Sequence, residues 1–251
     1  LTAMVEVSDR FHITPLLRAV TFPHAAWILA LSQGAVRLLE VGPSGAPVEV
    51  RVEDLPKDAW QSSGNKVVRA REGAYARRVD TALRTVLTGS DLPLILAASQ
   101  PMAALYRSVN TYPHLVAERE HGNPETSTDA ELADAARTIL DEVYADQVAE
   151  LAERFGDLRG QGRTATDASD LARLSTLGAV DTLLVDIDAS VPGTIDDIGA
   201  VSLADAEGAG NYGVTDEIAR RVLLAGGRVL AVRAEDIPQG GPLAGLLRFV
   251  V

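Results

Sequence analysis

The residues that could do chemistry fall into a few groups. The stretch SGNKVVRAREGAYARRV carries Lys66, Arg69, Arg71, Arg77 and Arg78 against one acid, Glu72. Cations this dense bind phosphate oxygens, because each contact releases counterions from a nucleic acid. The plainer alternative is a solvated surface, since Arg and Lys are at home in water. A second group is GAGNYG, with Gly208, Gly210 and Gly213 in the G-x-G-x-x-G pattern and Glu235 and Asp236 further on. That pattern binds dinucleotides when it links a buried strand to a helix. Here ADAE precedes it, and the helix after it opens on Asp216 and Glu217, which would repel a pyrophosphate. It reads as a glycine connector. A third group is Asp186 and Asp188, which with Asp196 or Asp197 could hold Mg²⁺. Acids at a strand end also serve as loop solubilisers. His12, His24, His114 and His121 have no metal-ligand spacing, and RGQGRTATD lacks the G-K-[ST] of a P-loop. No G-x-S-x-G elbow is present.

The chain has 251 residues and a formal net charge of -12, with no cysteine. Disulfides, thiolate catalysis and Cys-held zinc are thereby excluded. An acidic chain does not wrap DNA or coat an anionic membrane, although a local basic patch can still meet phosphates. The opening LTAMVEVSDRFHITPLL has no basic n-region and no long apolar run, so it is neither a signal peptide nor a membrane helix. Cytoplasmic location is the expectation, and a further domain is expected upstream.

Several elements must position these groups. AAWILALSQGAVRLLEVG predicts a hairpin turning at Ser32, Gln33 and Gly34. PVEVRVED alternates Val48, Val50 and Val52 with charged residues, as a half-buried strand does. The basic stretch is expected to be a mobile, Gly-bearing loop over 61–74. A helix is expected from Tyr75, with Val79, Leu83, Val86 and Leu87 on one face and Gly89 as its stop. LPLILAAS predicts a strand buried on both faces, and PMAALYRSVN a helix with Pro101 at its start. HGNPETSTD is a polar break, which sets domains of 1–127 and 128–251. Beyond it, 129–158 predicts one long amphipathic helix. Leu132, Ala136, Ile139, Val143, Val148, Leu151 and Phe155 form its stripe, and its acids a solvated face. Thr166 or Asp167 caps the next helix, and strands then alternate with helices to the end, the mark of a layered α/β/α domain.

The C-terminal set GAVDTLLVD, DEIARRVLLAGGRVLAVRAED and GGPLAGLLRF resembles the last domain of the archaeo-eukaryotic release factor and Pelota family. Gly240, Gly241, Leu246, Leu247, Arg248 and Phe249 stand at its signature ending. DRFHITPLL, WILALSQGAVRLLE, LPLILAAS and YRSVNTYPHL resemble the middle domain of bacterial members. The resemblance implies an α/β fold, an RNase H-like middle domain followed by an L7Ae-like α/β/α sandwich. In true release factors a Gly-Gly-Gln loop hydrolyses peptidyl-tRNA. The equivalent stretch here holds no such triplet, and the GQG at 160–162 stands in the other domain.

The resemblance therefore implies a ribosome-associated protein of rescue or hibernation, without hydrolase activity and without cofactor or metal. Lys66, Arg69, Arg71, Arg77 and Arg78 would touch rRNA or tRNA, and a translational GTPase would be a partner. The alternatives are a nucleotide- or metal-dependent enzyme using the glycine loop or the Asp186/Asp188 pair, and an interaction module built on the acidic helix.

Overall fold

The computed structural model describes residues 25–56, 65–116, 124, 126–186, 188–204 and 213–250, with the backbone alone for 65–71. Among the described residues the chain forms two compact units, one ending at Val143 and the other beginning at Tyr144. The division lies inside the long helix, and not at the polar break before it. The reason is the first unit's sheet.

That sheet contains β1 (Ala26–Leu31), β2 (Val36–Val41), β3 (Val48–Val50) and β4 (Leu94–Ala98), in the order β3-β2-β1-β4. β1 and β2 form the expected antiparallel hairpin, running from Ala26 opposite Val41 to Leu31 opposite Val36. Ser32 Oγ accepts the Gly34 and Ala35 amides and closes the turn. β3 is a short edge strand on which Val48 faces solvent. β4 runs parallel to β1, which requires a crossover; α1 (Asn65–Leu87) supplies it. Gly89, at φ +82°, follows the helix in the left-handed conformation of a stop. α2 (Met102–Val109) comes after β4.

Every residue of β1 and β4 is buried. Side chains alternate across a strand, so a sheet buried this way needs two covers. On one face Trp27, Leu29, Leu31, Leu94 and Leu96 pack with Val79, Leu83 and Leu87 of α1 and Met102 and Tyr106 of α2. On the other face stand Ala26, Ile28, Ala30, Ile95 and Ala97. Their cover is the first half of α3 (Asp129–Arg159), through Leu132, Ala133, Ala136, Ile139 and Leu140. Alanines on both sides let the helix approach closely.

Polar groups fix the same half of α3. Thr128 and Glu131 form a reciprocal capping box, with 2.8 Å from the Thr128 amide to Glu131 Oε2. Arg37 pairs with Asp129 and donates to the Ser127 carbonyl. Arg137 donates to the carbonyls of Gly42 and Gly45 beyond β2.

The second unit repeats the layering. β5 (Thr164–Ala165), β6 (Val180–Asp186), β9 (Arg228–Val232) and β10 (Leu243–Leu247) form a mixed sheet in the order β5-β10-β6-β9. β7 (Gly193–Ile195) and β8 (Val201–Leu203) make a separate ribbon that sequence patterning did not show. α4 (Ala168–Thr176) and α5 (Val214–Leu224) cover one face of the mixed sheet. Phe155, Tyr144, Val148, Leu151 and Leu158 of α3 cover the other. Asp167 is the cap of α4, accepting the Ser169 and Asp170 amides. At Gly245 of β10 a Cβ would lie 2.4 Å from Leu171 Cδ2, so glycine there lets α4 sit on the sheet.

Buried Glu217 accepts from Arg220 and Arg221, and Arg221 also donates to Thr176 Oγ1 and the Ile195 and Asp196 carbonyls. This knot ties α5 to α4 and to the ribbon. Its sequence sign is an acid followed by arginines at i+3 and i+4.

Tyr144 donates to Asp236 and accepts the Arg233 amide, while the Arg233 guanidinium lies 4.9 Å from its ring centroid. Burial first, then the hydrogen bond to Asp236, push the Tyr144 hydroxyl up to about 12.

Two outcomes follow from this packing. Ile139→Ala opens a cavity against the first sheet and should cost about 2–4 kcal/mol in urea denaturation, whereas Glu142→Ala on the solvated face should stay within about 0.5 kcal/mol. Equal effects would show that α3 is not that sheet's second cover. Tyr144 keeps its proton in the folded chain when the unfolded chain, near the ordinary value of about 10, has lost it. Its contribution is complete below about pH 10 and is lost as pH rises towards about 12. Wild type should therefore lose stability more steeply than Tyr144→Phe across that window, and identical slopes would reject the linkage.

Candidate nucleic-acid interface

The basic stretch is not a loop over 61–74. The chain is helical from Asn65, so α1 starts ten residues before Tyr75, where sequence reading placed it. Lys, Arg, Ala and Glu are good helix formers, and Gly73 alone is too small a penalty to stop the helix. Lys66, Arg69 and Arg71 thus stand on the first turns of α1, and their side chains lie outside the described residues. The expected loop beyond the helix start, 61–64, also lies outside them.

Arg77 and Arg78 are exposed, and among the described residues neither side chain has an ion-pair or hydrogen-bond partner. The reason is the direction in which the helix turns its acids. Glu72 and Asp80 are the acids of α1, and both are buried. Glu72 accepts from Gln33 Nε2 at the hairpin tip. Asp80 accepts the Thr111 amide at 2.8 Å and the Thr111 hydroxyl, and it holds Arg84 at 2.9 Å. The outer face is left with Ala74, Arg77, Arg78, Thr81, Arg84 and Thr85, with Thr88 in the following turn. These positions fall within an arc of roughly 120° at 100° per residue. An acidic protein therefore presents one cationic helix face. Glu53 and Asp54 line the same groove as Arg77 and Arg78. Sequence reading missed Asp80, Thr111 and Arg84; helical spacing from Arg77 to Arg84 was the available signal.

The other candidates are placed differently. Of GAGNYG only Gly213 is described, as the N-cap of α5. The preceding strand β8 is half-exposed, not the buried strand that a dinucleotide turn requires. Asp186 accepts the Asp188 amide, and Asp196 accepts the Ile198 and Ala200 amides, so both carboxylates shape turns. Among the described residues no group of three His, Cys, Asp or Glu is placed to hold a metal ion. Of the histidines, His114 is described; it lies 3.7 Å from Asp91 on the rim of a separate groove. The acids Asp141, Glu142, Asp146, Glu150 and Glu153 are exposed along α3, as expected of a solvated face.

Comparison with solved structures shows the same fold. Archaeal Pelota, ribosome-bound and seen with ABCE1, matches with a TM-score of 0.55 and 20% identity, over 90% of this chain and 62% of that one. Dom34 of S. cerevisiae is described as a translation termination-like factor involved in RNA quality control pathways and interacting with Hbs1. It gives 0.57 and 12% identity over 90% of this chain and 63% of its own. A second structure of Dom34 gives 0.57 and 13% over 97% and 70%. This chain thus spans 62% and 63% of the first two. No curated protein matches it. The family match ends just past Val143, where the first unit closes. The fold is the α/β fold that the release-factor resemblance implies, and residues 23–146 of this chain match the model of bacterial archaeo-eukaryotic release factor family 11.

Proposed function

We propose that this protein is a release-factor-like, ribosome-associated factor that acts in ribosome rescue or hibernation and does not hydrolyse peptidyl-tRNA. Lys66, Arg69, Arg71, Arg77 and Arg78 contact rRNA or tRNA phosphates and position the protein without reading bases. One observation carries this reading: both acids of α1 are buried, so its exposed face carries arginines and no acid in a chain of net charge -12. A surface serving solubility alone would not need its acids turned inward. The family model that matches residues 23–146 and the fold shared with ribosome-bound Pelota support the ribosome as the partner. The chain carries no Gly-Gly-Gln, which supports a role other than peptide release. A translational GTPase is the protein partner of this reading, and the cytoplasm its place of action. Among the described residues no helix is long and apolar enough to cross a membrane.

Co-sedimentation with ribosomes, from growing and from stationary cells, tests the proposal at low and moderate salt. Arg77→Ala/Arg78→Ala should weaken binding and flatten the log–log salt slope by about two. Folding stability should change by less than about 0.5 kcal/mol, since both side chains are solvated. Lys66→Ala/Arg69→Ala/Arg71→Ala should flatten the slope by about two to three. Variants that sediment like wild type at every salt concentration would make the basic helix mere surface. Release of peptide from a ribosome complex by this protein would overturn the non-hydrolytic part.

A further inference from the structure

The outer face of α1 offers two kinds of group. Arg77 and Arg78 are donors. The threonines beyond them are not available as donors. Thr81 Oγ1 donates to the Arg77 carbonyl at 2.9 Å, Thr85 Oγ1 to the Ala82 carbonyl at 2.8 Å, and Thr88 Oγ1 to the Arg84 carbonyl at 2.6 Å. A carbonyl cannot donate, so each hydroxyl proton points into the helix. A hydroxyl has one proton and two lone pairs, so what these threonines show to solvent is an acceptor. Phosphate oxygens are acceptors too and gain nothing from them. The ribose 2′-hydroxyl can donate, and DNA lacks it.

We infer that the face of α1 running from Arg77 through Thr85 takes the backbone of double-helical RNA and selects it over DNA. Arg77 and Arg78 hold phosphates, and Thr81 and Thr85 accept from 2′-hydroxyls. The inference rests on the phosphate contact proposed above and names the nucleic acid that makes it. A-form RNA displays its 2′-hydroxyls across a wide, shallow minor groove flanked by phosphates. A straight helix with donors and acceptors one turn apart, about 5 Å, can meet both at once. The stripe carries no aromatic side chain, so it has no platform for the bases of a single strand. It carries no Asn or Gln to read base edges. Arg84 is already paired with Asp80 and adds less charge. Glu53 and Asp54, which line the same groove, repel a polyanion and favour its contact with the arginines and threonines of the helix.

Fluorescence anisotropy of the full chain at low salt tests this, with an RNA duplex of about 16 base pairs and a DNA duplex of the same sequence. Wild type should bind the RNA about tenfold tighter. Thr81→Val/Thr85→Val should bring RNA affinity down to the DNA level and leave DNA binding unchanged. Arg77→Ala/Arg78→Ala should weaken both. A 2′-O-methyl RNA duplex, which keeps the A-form but has lost the donor, should bind wild type no better than DNA. That arm decides the matter even if the valine variant fails to fold. Equal binding of RNA and DNA by wild type, or full affinity for the 2′-O-methyl duplex, overturns the 2′-hydroxyl contact and leaves the phosphate contact standing. No binding of either duplex overturns both.

Discussion

A sheet whose central strands are apolar on both faces cannot stand with one face in water. β1 and β4 are such strands, and each is buried along its whole length. α1 and α2 cover one side, which leaves Ala26, Ile28, Ala30, Ile95 and Ala97 to be covered by something else. The first half of α3 meets that need. The rest of the architecture depends on it. The capping box at Thr128, the Arg37–Asp129 pair and the bonds from Arg137 to the loop after β2 all fix a helix that the sheet already demands. Because the same helix continues to Arg159, its second half is present to cover the second unit's sheet. A break in composition is therefore a poor guide to a break in packing here. The chain changes character at the polar stretch before α3, but the first core closes only at Val143.

The same packing shapes the charge on α1. An amphipathic helix with two buried acids is costly unless each acid finds donors. Glu72 finds Gln33 at the hairpin tip, and Asp80 finds Thr111 and Arg84. The donors are Gln33 at the hairpin tip, Thr111 in the loop after α2 and Arg84 on α1 itself, so the acids are satisfied without drawing on Arg77 or Arg78. Those arginines are left to solvent and to whatever anion meets the surface. Their availability is a product of the fold as much as of the local sequence. A run of cations beside two acids would ordinarily neutralise itself at i+3 and i+4 spacing. On α1 that pairing takes Arg84, which holds Asp80, and in the second unit it takes Arg220 and Arg221 beside buried Glu217, so those arginines serve structure.

Much of this was legible beforehand. The hairpin at Ser32–Gln33–Gly34, the doubly buried run LILAA, the stop at Gly89, the cap at Asp167 and the single long helix all carry strong local signals. Periodicity and turn chemistry are properties of near neighbours, and near neighbours decide them. The start of α1 was misplaced because glycine and charge density read as a loop, while helix propensity summed over the same residues favours a helix. The ribbon of β7 and β8 was missed because its three-residue strands lack the longer apolar–charged alternation that PVEVRVED carries around β3.

By itself the sequence determined the layered α/β class, the family resemblance, the lack of thiol chemistry and the presence of one basic island in an acidic chain. Each of these follows from residue type and order alone. Tertiary structure decided which of the island's charges are free, because that depends on where Glu72 and Asp80 point and on partners that stand 39 and 31 residues away in the chain. It also decided where the first unit ends, because the second face of a sheet can be covered by any apolar helix that reaches it, and no local pattern says which one does.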